Sequence, residues 1–198
     1  MPLTEDEITR LLSAAYADGS AFAPGYSEMD LDESTPLKCA AVLIPLVLHD
    51  GDWNILYTRR TQRVESHKGQ VSFPGGGCDQ GETTPEQTAL REANEEIGVE
   101  PTEVRILGRL SSVATISSFL VTPVVGALRW PTVFRLNEDE VERIFTVPLA
   151  WLAEARNRFE LPFPGGSRNV IFYHPYDGEL VWGATARMTL DFVRTLRL

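Results

Sequence analysis

Ten consecutive residues, "CAAVLIPLVL" at 39–48, carry no charged side chain. A strand this apolar offers no face to water, so it is expected to be buried on both sides of a sheet. A second run, "WNILYTRR" at 53–60, follows turn residues that include Asp50-Gly51-Asp52. The pair reads as a β-hairpin. Pro45 has no N–H to give a neighbouring strand, which predicts an edge or a bulge at that point. Cys39, which opens the apolar run, reads as core.

The remaining chain alternates between helical and extended patterns. Thr4 and Glu7 fit a capping box, and Ile8, Leu11, Leu12 and Ala15 make an apolar stripe at helical spacing. Residues 17–36 are rich in Gly, Ser, Pro and acids and read as a loop, as do residues 74–84. Thr84 can cap a helix, Pro85 suits its first position and Gly98 its C′ position. Further strands are expected at 105–113, 118–127, 170–174 and 179–182, the last two around "YDGE", and helices at 148–155 and 184–196. Strands and helices mix without a regular βαβ rhythm. The fold class is therefore α+β, or an α/β/α arrangement with a mixed sheet. A length of 198 residues suits one globular domain, with 1–36 as an N-terminal helix and loop and 37–198 as the main body.

Charge narrows the function. The formal net charge is −10 and the sequence pI about 4.8, which argues against nucleic acid held through its phosphates. A small anionic ligand requires a local basic cluster or a metal ion. Two cysteines without CxxC spacing are too sparse for a disulfide framework or a zinc site; Cys78 falls in the glycine-rich loop. The N-terminus lacks a positive segment followed by an apolar one, and no apolar stretch approaches the ~20 residues needed to cross a bilayer. The expected location is the cytoplasm, with no membrane partner.

The stretch "REANEEIG" at 91–98 crowds Glu92, Glu95 and Glu96 behind Arg91. On a helix, Glu95 and Glu96 each lie within about 60° of Glu92, so all three share a face. Like charges so spaced cost roughly a few tenths of a kcal/mol per pair. The C-terminal half of a helix also disfavours anions. Something positive is needed between the carboxylates, and Mg²⁺ takes carboxylate and phosphate oxygens. Three acids alone read first as a solvated acidic face with Arg91 as an incidental partner, and only the preceding loop turns that reading. The preceding glycine loop fits neither familiar phosphate-binding pattern: Gln80 stands where a dinucleotide fingerprint needs glycine, and Glu82 where a P-loop needs lysine.

Taken together, Gly76-x5-Glu82 and "REANEEIGV" at 91–99 resemble the Nudix box, G-x5-E-x7-R-E-U-x-E-E-x-G-U with U aliphatic. The gap from Glu82 to Arg91 is one residue longer than usual. The resemblance implies a Nudix-type α/β/α sandwich with a mixed β-sheet, and hydrolysis of a nucleoside diphosphate linked to another moiety. It implies Mg²⁺ or Mn²⁺ as cofactor, with Glu92, Glu95 and Glu96 as metal ligands, Arg91 as their orienting partner and the Gly76 region as a source of backbone oxygen.

Upstream, "LYTRRTQRVESHKGQVSFPGG" at 56–76 is similar to the segment of Nudix hydrolases that cleave coenzyme A, roughly L-L-T-x-R-S-x3-R-x3-G-Q-V-x-F-P-G-G. Glu65 stands where that segment has arginine, and Arg63 is a substitute two residues earlier. "AAVLIPLV" (40–47), "VTPVVG" (121–126), "EDEVERIFTVPL" (138–149) and "VWGATA" (181–186) resemble the same group. Arg59, Arg60 and Arg63 are candidate phosphate binders in an otherwise acidic chain. His67 and Gln70 read either as ligand contacts or as loop-holding groups. A general base is sought among Glu95, Glu96 and the acidic turn "NEDEVER" (137–143), where Glu140 is the choice. The expected substrate is a small molecule, coenzyme A or acyl-CoA. Another nucleotide derivative (an NDP-sugar, NADH, ADP-ribose or NTP) and a non-catalytic nucleotide-sensing module remain as alternatives, and a homodimer stays open.

Overall fold

Thr4 and Glu7 start the first helix by trading hydrogen bonds. The Glu7 amide donates to Thr4 Oγ1 at 3.2 Å, and the Thr4 amide donates to the Glu7 carboxylate at 2.7 Å. The resulting α1 (Glu5–Ala17) buries Ile8 and Leu12 completely or nearly so. Trp53 Nε1 donates to the Leu3 carbonyl at 2.6 Å and fixes the start of α1 against the sheet. This computed structural model describes residues 2–17, 36–63, 67–162 and 169–198. Glu65 and nearly all of the predicted 17–36 loop lie outside them.

The expected hairpin forms from β1 (Lys38–His49) and β2 (Asp52–Arg60), paired antiparallel from Leu46↔Ile55 to His49↔Asp52. Asp50 and Gly51 both adopt positive φ, 51° and 83°, as a tight turn matched to strand twist requires. The edge or bulge expected at Pro45 does not occur. β1 is a central strand, parallel to β7 (Phe119–Leu128) without a register shift from Lys38↔Phe119 to Val47↔Leu128. Its other side takes two partners in succession, β4 (Gly75–Gly77) at Ala40–Val42 and then β2 from Leu46 onward. The Leu43 amide donates to the Pro74 carbonyl on that side at 2.8 Å. Two residues on, the missing N–H of Pro45 faces the seam between the two partners, where it interrupts neither ladder.

The sheet runs β3 (Val71–Ser72), β2, β1, β7, β5 (Val104–Arg109), with β4 also on β1, β6 (Val113–Ala114) on β7 and β8 (Val141–Pro148) on β2. Because strand side chains alternate, the sheet has two apolar faces. Ile44, Leu46, Ile55, Tyr57, Val125 and Phe145 share a core with α1 and α4 (Gly183–Thr195). Ala41, Leu43, Leu56 and Val124 pack with Ala89, Ala93 and Ile97 of α2 (Pro85–Ile97). The expected α/β/α layering with a mixed sheet is what forms.

Several elements differ from expectation. The 105–113 strand is broken into β5 and β6: the Leu110 amide still meets the Pro123 carbonyl at 2.9 Å in register, but Pro123 has no N–H to return, and pairing resumes one residue out of step at Val113↔Val121. Residues 179–182 make isolated bridges, Tyr176↔Glu179 and Phe172↔Trp182, instead of a strand. The helix expected at 148–155 shortens to α3 (Leu149–Ala153). β8 and β9 (Arg158–Pro162), the latter paired with β10 (Asn169–Tyr173), are additional. No helix among the described residues is long and apolar enough to cross a membrane.

Cys39 is not core. It is exposed and joined to Cys78 by a disulfide, because the β1–β4 pairing brings their Cα atoms to 5.4 Å.

Candidate active site

Local signals build α2 as expected. Thr84 accepts from the Gln87 amide in a capping box, Pro85 opens the first turn, and Gly98 closes the helix at φ 69°, its N–H bonded to the Asn94 carbonyl. With Ala89, Ala93 and Ile97 turned to the sheet, the three glutamates lie at graded depth. Glu96 is 2% exposed, Glu92 16% and Glu95 54% at the side chain.

Arg91 sits at the centre. Its Nη1 donates to Glu92 Oε1 at 2.8 Å and to Glu95 Oε2 at 3.0 Å, and its Nη2 to the Gly77 carbonyl at 2.9 Å. Its Nε donates to Glu82 Oε1 at 2.8 Å. Glu82 also accepts from Thr88 Oγ1 at 2.7 Å and from the Asp79 amide at 2.8 Å. The bond from Arg91, ahead of these others, holds the Glu82 carboxyl down to about 2. The longer spacing therefore still delivers Glu82 to Arg91. At Gly76, a Cβ would stand 2.5 Å from Glu92 Oε1, so only glycine lets β4 approach that carboxylate.

Glu96 lies deeper. Arg60 Nη1 reaches its Oε1 at 3.4 Å, while Glu96 Oε2 and Arg60 Nε are buried without a partner among the described residues. Burial pushes the Glu96 carboxyl up to about 8; Arg60 opposes the shift, and the charges of Glu140 and Glu92 add to it. Burial also raises Glu92, with Arg91 opposing and the charges of Glu95 and Glu140 contributing. Glu140 is thus close enough to act on both. It is delivered by a pinned turn: the Asn137 amide donates to the Glu96 carbonyl at 2.9 Å, and Asn137 Nδ2 to Glu140 Oε1 at 3.1 Å. The Thr61 amide donates to the Glu140 carbonyl at 2.8 Å, and Thr61 Oγ1 to the Asp139 carbonyl at 2.7 Å.

The arginines part company. Arg60 faces α2, whereas Arg59, its neighbour on the strand, emerges on the opposite face. There it lies 3.3 Å from both Glu142 and the buried Glu179, which also pairs with Arg143 at 3.2 Å. Arg59 is therefore not brought together with the helix acids. Arg63 is exposed and pairs with Asp139 at 3.3 Å. His67 Nδ1 and Gln70 Oε1 lie 2.9 Å apart across a turn, and the Gln70 carbonyl accepts the Arg60 amide at 3.0 Å. An open cavity of about 550 Å³ separates the 61–63 segment from the 136–142 segment, with Leu136, Glu138 and Val141 on its far wall. Asn137 and Thr61 were not legible as site residues in the sequence. The only local hint was the spacing of Asn137 from Glu140, which suits a side-chain-stabilised turn.

Among the described residues, no three acidic, histidine or cysteine side chains converge as a preformed cation cage. Arg91 holds Glu92 and Glu95, and Arg60 holds one oxygen of Glu96. The donor set nevertheless suits a hard divalent cation. Two carboxylates are destabilised by burial, and one buried oxygen lacks a partner; an oxygen-seeking cation relieves both conditions.

Residues 37–163 match the family model described as the NUDIX domain. A protein of Pectobacterium atrosepticum described as an uncharacterized Nudix hydrolase, NudL, is 39% identical over 148 residues, covering 74% of this chain and 77% of that protein. A protein of Escherichia coli K12 with the same description is 36% identical over the same shares. Among solved structures, a MutT/nudix family protein from Enterococcus faecalis matches with a TM-score of 0.53 at 14% identity, covering 94% of this chain and 70% of its own. The Nudix hydrolase RenU from M. smegmatis matches at 0.50 and 24% identity, covering 59% of this chain and 73% of its own. At such identities the structural likeness bears on fold alone.

Proposed function

We propose that this protein, which belongs to the Nudix family of hydrolases acting on nucleoside diphosphate derivatives, cleaves coenzyme A or acyl-CoA at its diphosphate. The products are 3′,5′-ADP and (acyl-)4′-phosphopantetheine. One observation carries the reading: the 56–76 segment, which resembles that of coenzyme A hydrolases, meets the helix acids at both ends. Arg60 contacts Glu96 near its start, and Gly76 abuts Glu92 at its finish.

In this reading Glu92, Glu95 and Glu96, with a backbone oxygen near Gly76, hold Mg²⁺ or Mn²⁺. Bound there, the cation neutralises the diphosphate and activates a water. Arg91, itself held by Glu82, sets the angle of Glu92 and Glu95. Arg60 has a guanidinium N–H without a partner at the buried side of the site, and it turns to a substrate phosphate. Glu140, set across from Glu92 and Glu96, accepts the proton of the attacking water. Arg63 stands on the rim of the cavity, and His67 and Gln70 hold the turn that positions Arg60. Arg59, clasped by Glu142 and Glu179, braces β2 instead of meeting substrate.

The test is product analysis with coenzyme A, acyl-CoA, dephospho-CoA, NADH, ADP-ribose and dNTPs, each with Mg²⁺ and with Mn²⁺. 3′,5′-ADP from coenzyme A at the highest kcat/KM is the expected result. Preferential cleavage of ADP-ribose, NADH or a dNTP, with coenzyme A left intact, overturns it.

A further inference from the structure

The strand that serves the carboxylates is covalently tied down. Cys78 directly follows β4, and its disulfide to Cys39 at the start of β1 closes a separation of 39 residues. β4 is three glycines long and pairs with β1 only at Ala40–Val42. Glycine loses more conformational freedom on ordering than any other residue and brings no side chain to pack. Yet this strand places Gly76 against the Glu92 carboxylate and points the Gly77 carbonyl at Arg91 Nη2. Beyond it, the backbone is tied to β1 by a bond from the Cys78 amide to the Cys39 carbonyl at 3.1 Å and by the disulfide, while the Asp79 amide is held by Glu82 on the α2 side. Cys39 is exposed and Cys78 half-buried, so the bond is within reach of a reductant. A cross-link that closes a loop this long removes chain freedom that the opened protein regains.

We propose that the Cys39–Cys78 disulfide is a redox-sensitive staple on the cation-holding loop. Closed, it keeps β4 in register beneath α2; opened by a dithiol reductant, it frees β4 and weakens divalent-cation binding. A thiolate of the reductant attacks one sulfur, forming a mixed disulfide and expelling the other cysteine as its thiolate. The second thiol of the reductant then displaces the first cysteine. Two electrons and two protons pass to Cys39 and Cys78, and the reductant leaves as its own disulfide. The inference rests on the reading of the helix acids as cation ligands, and is independent of which diphosphate is cleaved.

Protein purified without reductant, then unfolded and alkylated, is expected to show no free thiol by mass spectrometry, and two after dithiothreitol. Mn²⁺ titration, followed by the electron paramagnetic resonance of the free ion, uses oxidised protein, reduced protein freed of dithiothreitol under argon, and a Cys39→Ser/Cys78→Ser variant. The reduced protein and the variant are expected to bind Mn²⁺ roughly tenfold more weakly, the low end of the loss when groups supporting metal ligands are disturbed. The variant is expected not to respond to dithiothreitol. Two free thiols before reduction, or equal Mn²⁺ affinity in oxidised and reduced wild-type protein, overturns the staple. Redox-dependent Mn²⁺ affinity in a protein that leaves coenzyme A intact upholds the staple and overturns only the substrate reading.

Discussion

Glu96 occupies the surroundings least suited to its charge. Its carboxyl is pushed up to about 8 by burial. The folded state therefore holds a proton that the unfolded chain releases near the ordinary 4.5. That contribution to stability is complete below about 4.5 and is lost as pH rises through 8. Glu82, held down to about 2, has the opposite sign: its contribution is present above 4.5 and is lost as pH falls through 2. Without divalent cations, the melting temperature is thus expected to fall from pH 5 to pH 8, and Glu96→Gln to flatten that slope. In wild type, saturating Mn²⁺ should offset the loss at pH 8 by mass action. The same substitution should lower kcat by ~10²–10⁴. Thermal melts with EDTA and with Mn²⁺ across this pH range are the measurement. A slope identical in wild type and variant would remove Glu96 as its source.

At the scale of elements, α2 separates stability from function at its N-terminal side. Thr84→Ala removes the acceptor for the Gln87 amide and is expected to cost about 1 kcal/mol in urea unfolding with kcat nearly unchanged. Gly76→Ala places a methyl group against the end of the Glu92 side chain, which is flexible enough to swing away. Stability should hold while activity is lost. A fully active Gly76→Ala protein would mean that the close approach has no part in catalysis. α2 was legible because its caps and its carboxylate spacing are contacts within about four residues, which local order encodes. β8 was passed over although Phe145 and Val147 alternate inward, because Arg143 occupies the next position on their face and a register shift beyond it turns Val141 to the α2 side. That arginine is accommodated by Glu179, which lies far along the chain.

Across the whole molecule, the sheet divides labour between its faces. The acids and Arg60 lie on the α2 side. α1 and α4 cover the other side and complete a core with β1 and β2. α1 lies outside the matched residues 37–163, yet Leu12 is 1% exposed and lies over Gly108, where a Cβ would meet the leucine at 3.0 Å. Leu12→Ala is therefore expected to cost about 2–5 kcal/mol, as buried leucine truncations do. Per folded molecule, kcat should be unaltered, because the cavity opens on the face away from the acids. Differential scanning calorimetry and active-site titration separate the two effects. An unchanged melting temperature would show that α1 is not part of the core.

The sequence by itself determined the β1–β2 hairpin, the bounds and caps of α2, and the order of Arg91, Glu92, Glu95 and Glu96 along one helical face. Each depends on turn chemistry or periodicity within a few residues. Tertiary structure alone decided that β1 lies at the centre of the sheet beside a parallel β7 and that Cys39 meets Cys78. It also decided that Arg59 and Arg60 serve opposite faces, and that Thr61 and Asn137 bring Glu140 to Glu96. Those outcomes depend on pairings between segments remote in the chain, whose free energy comes from burying shared apolar surface. No single segment carries that surface alone, so none of them could announce its partner.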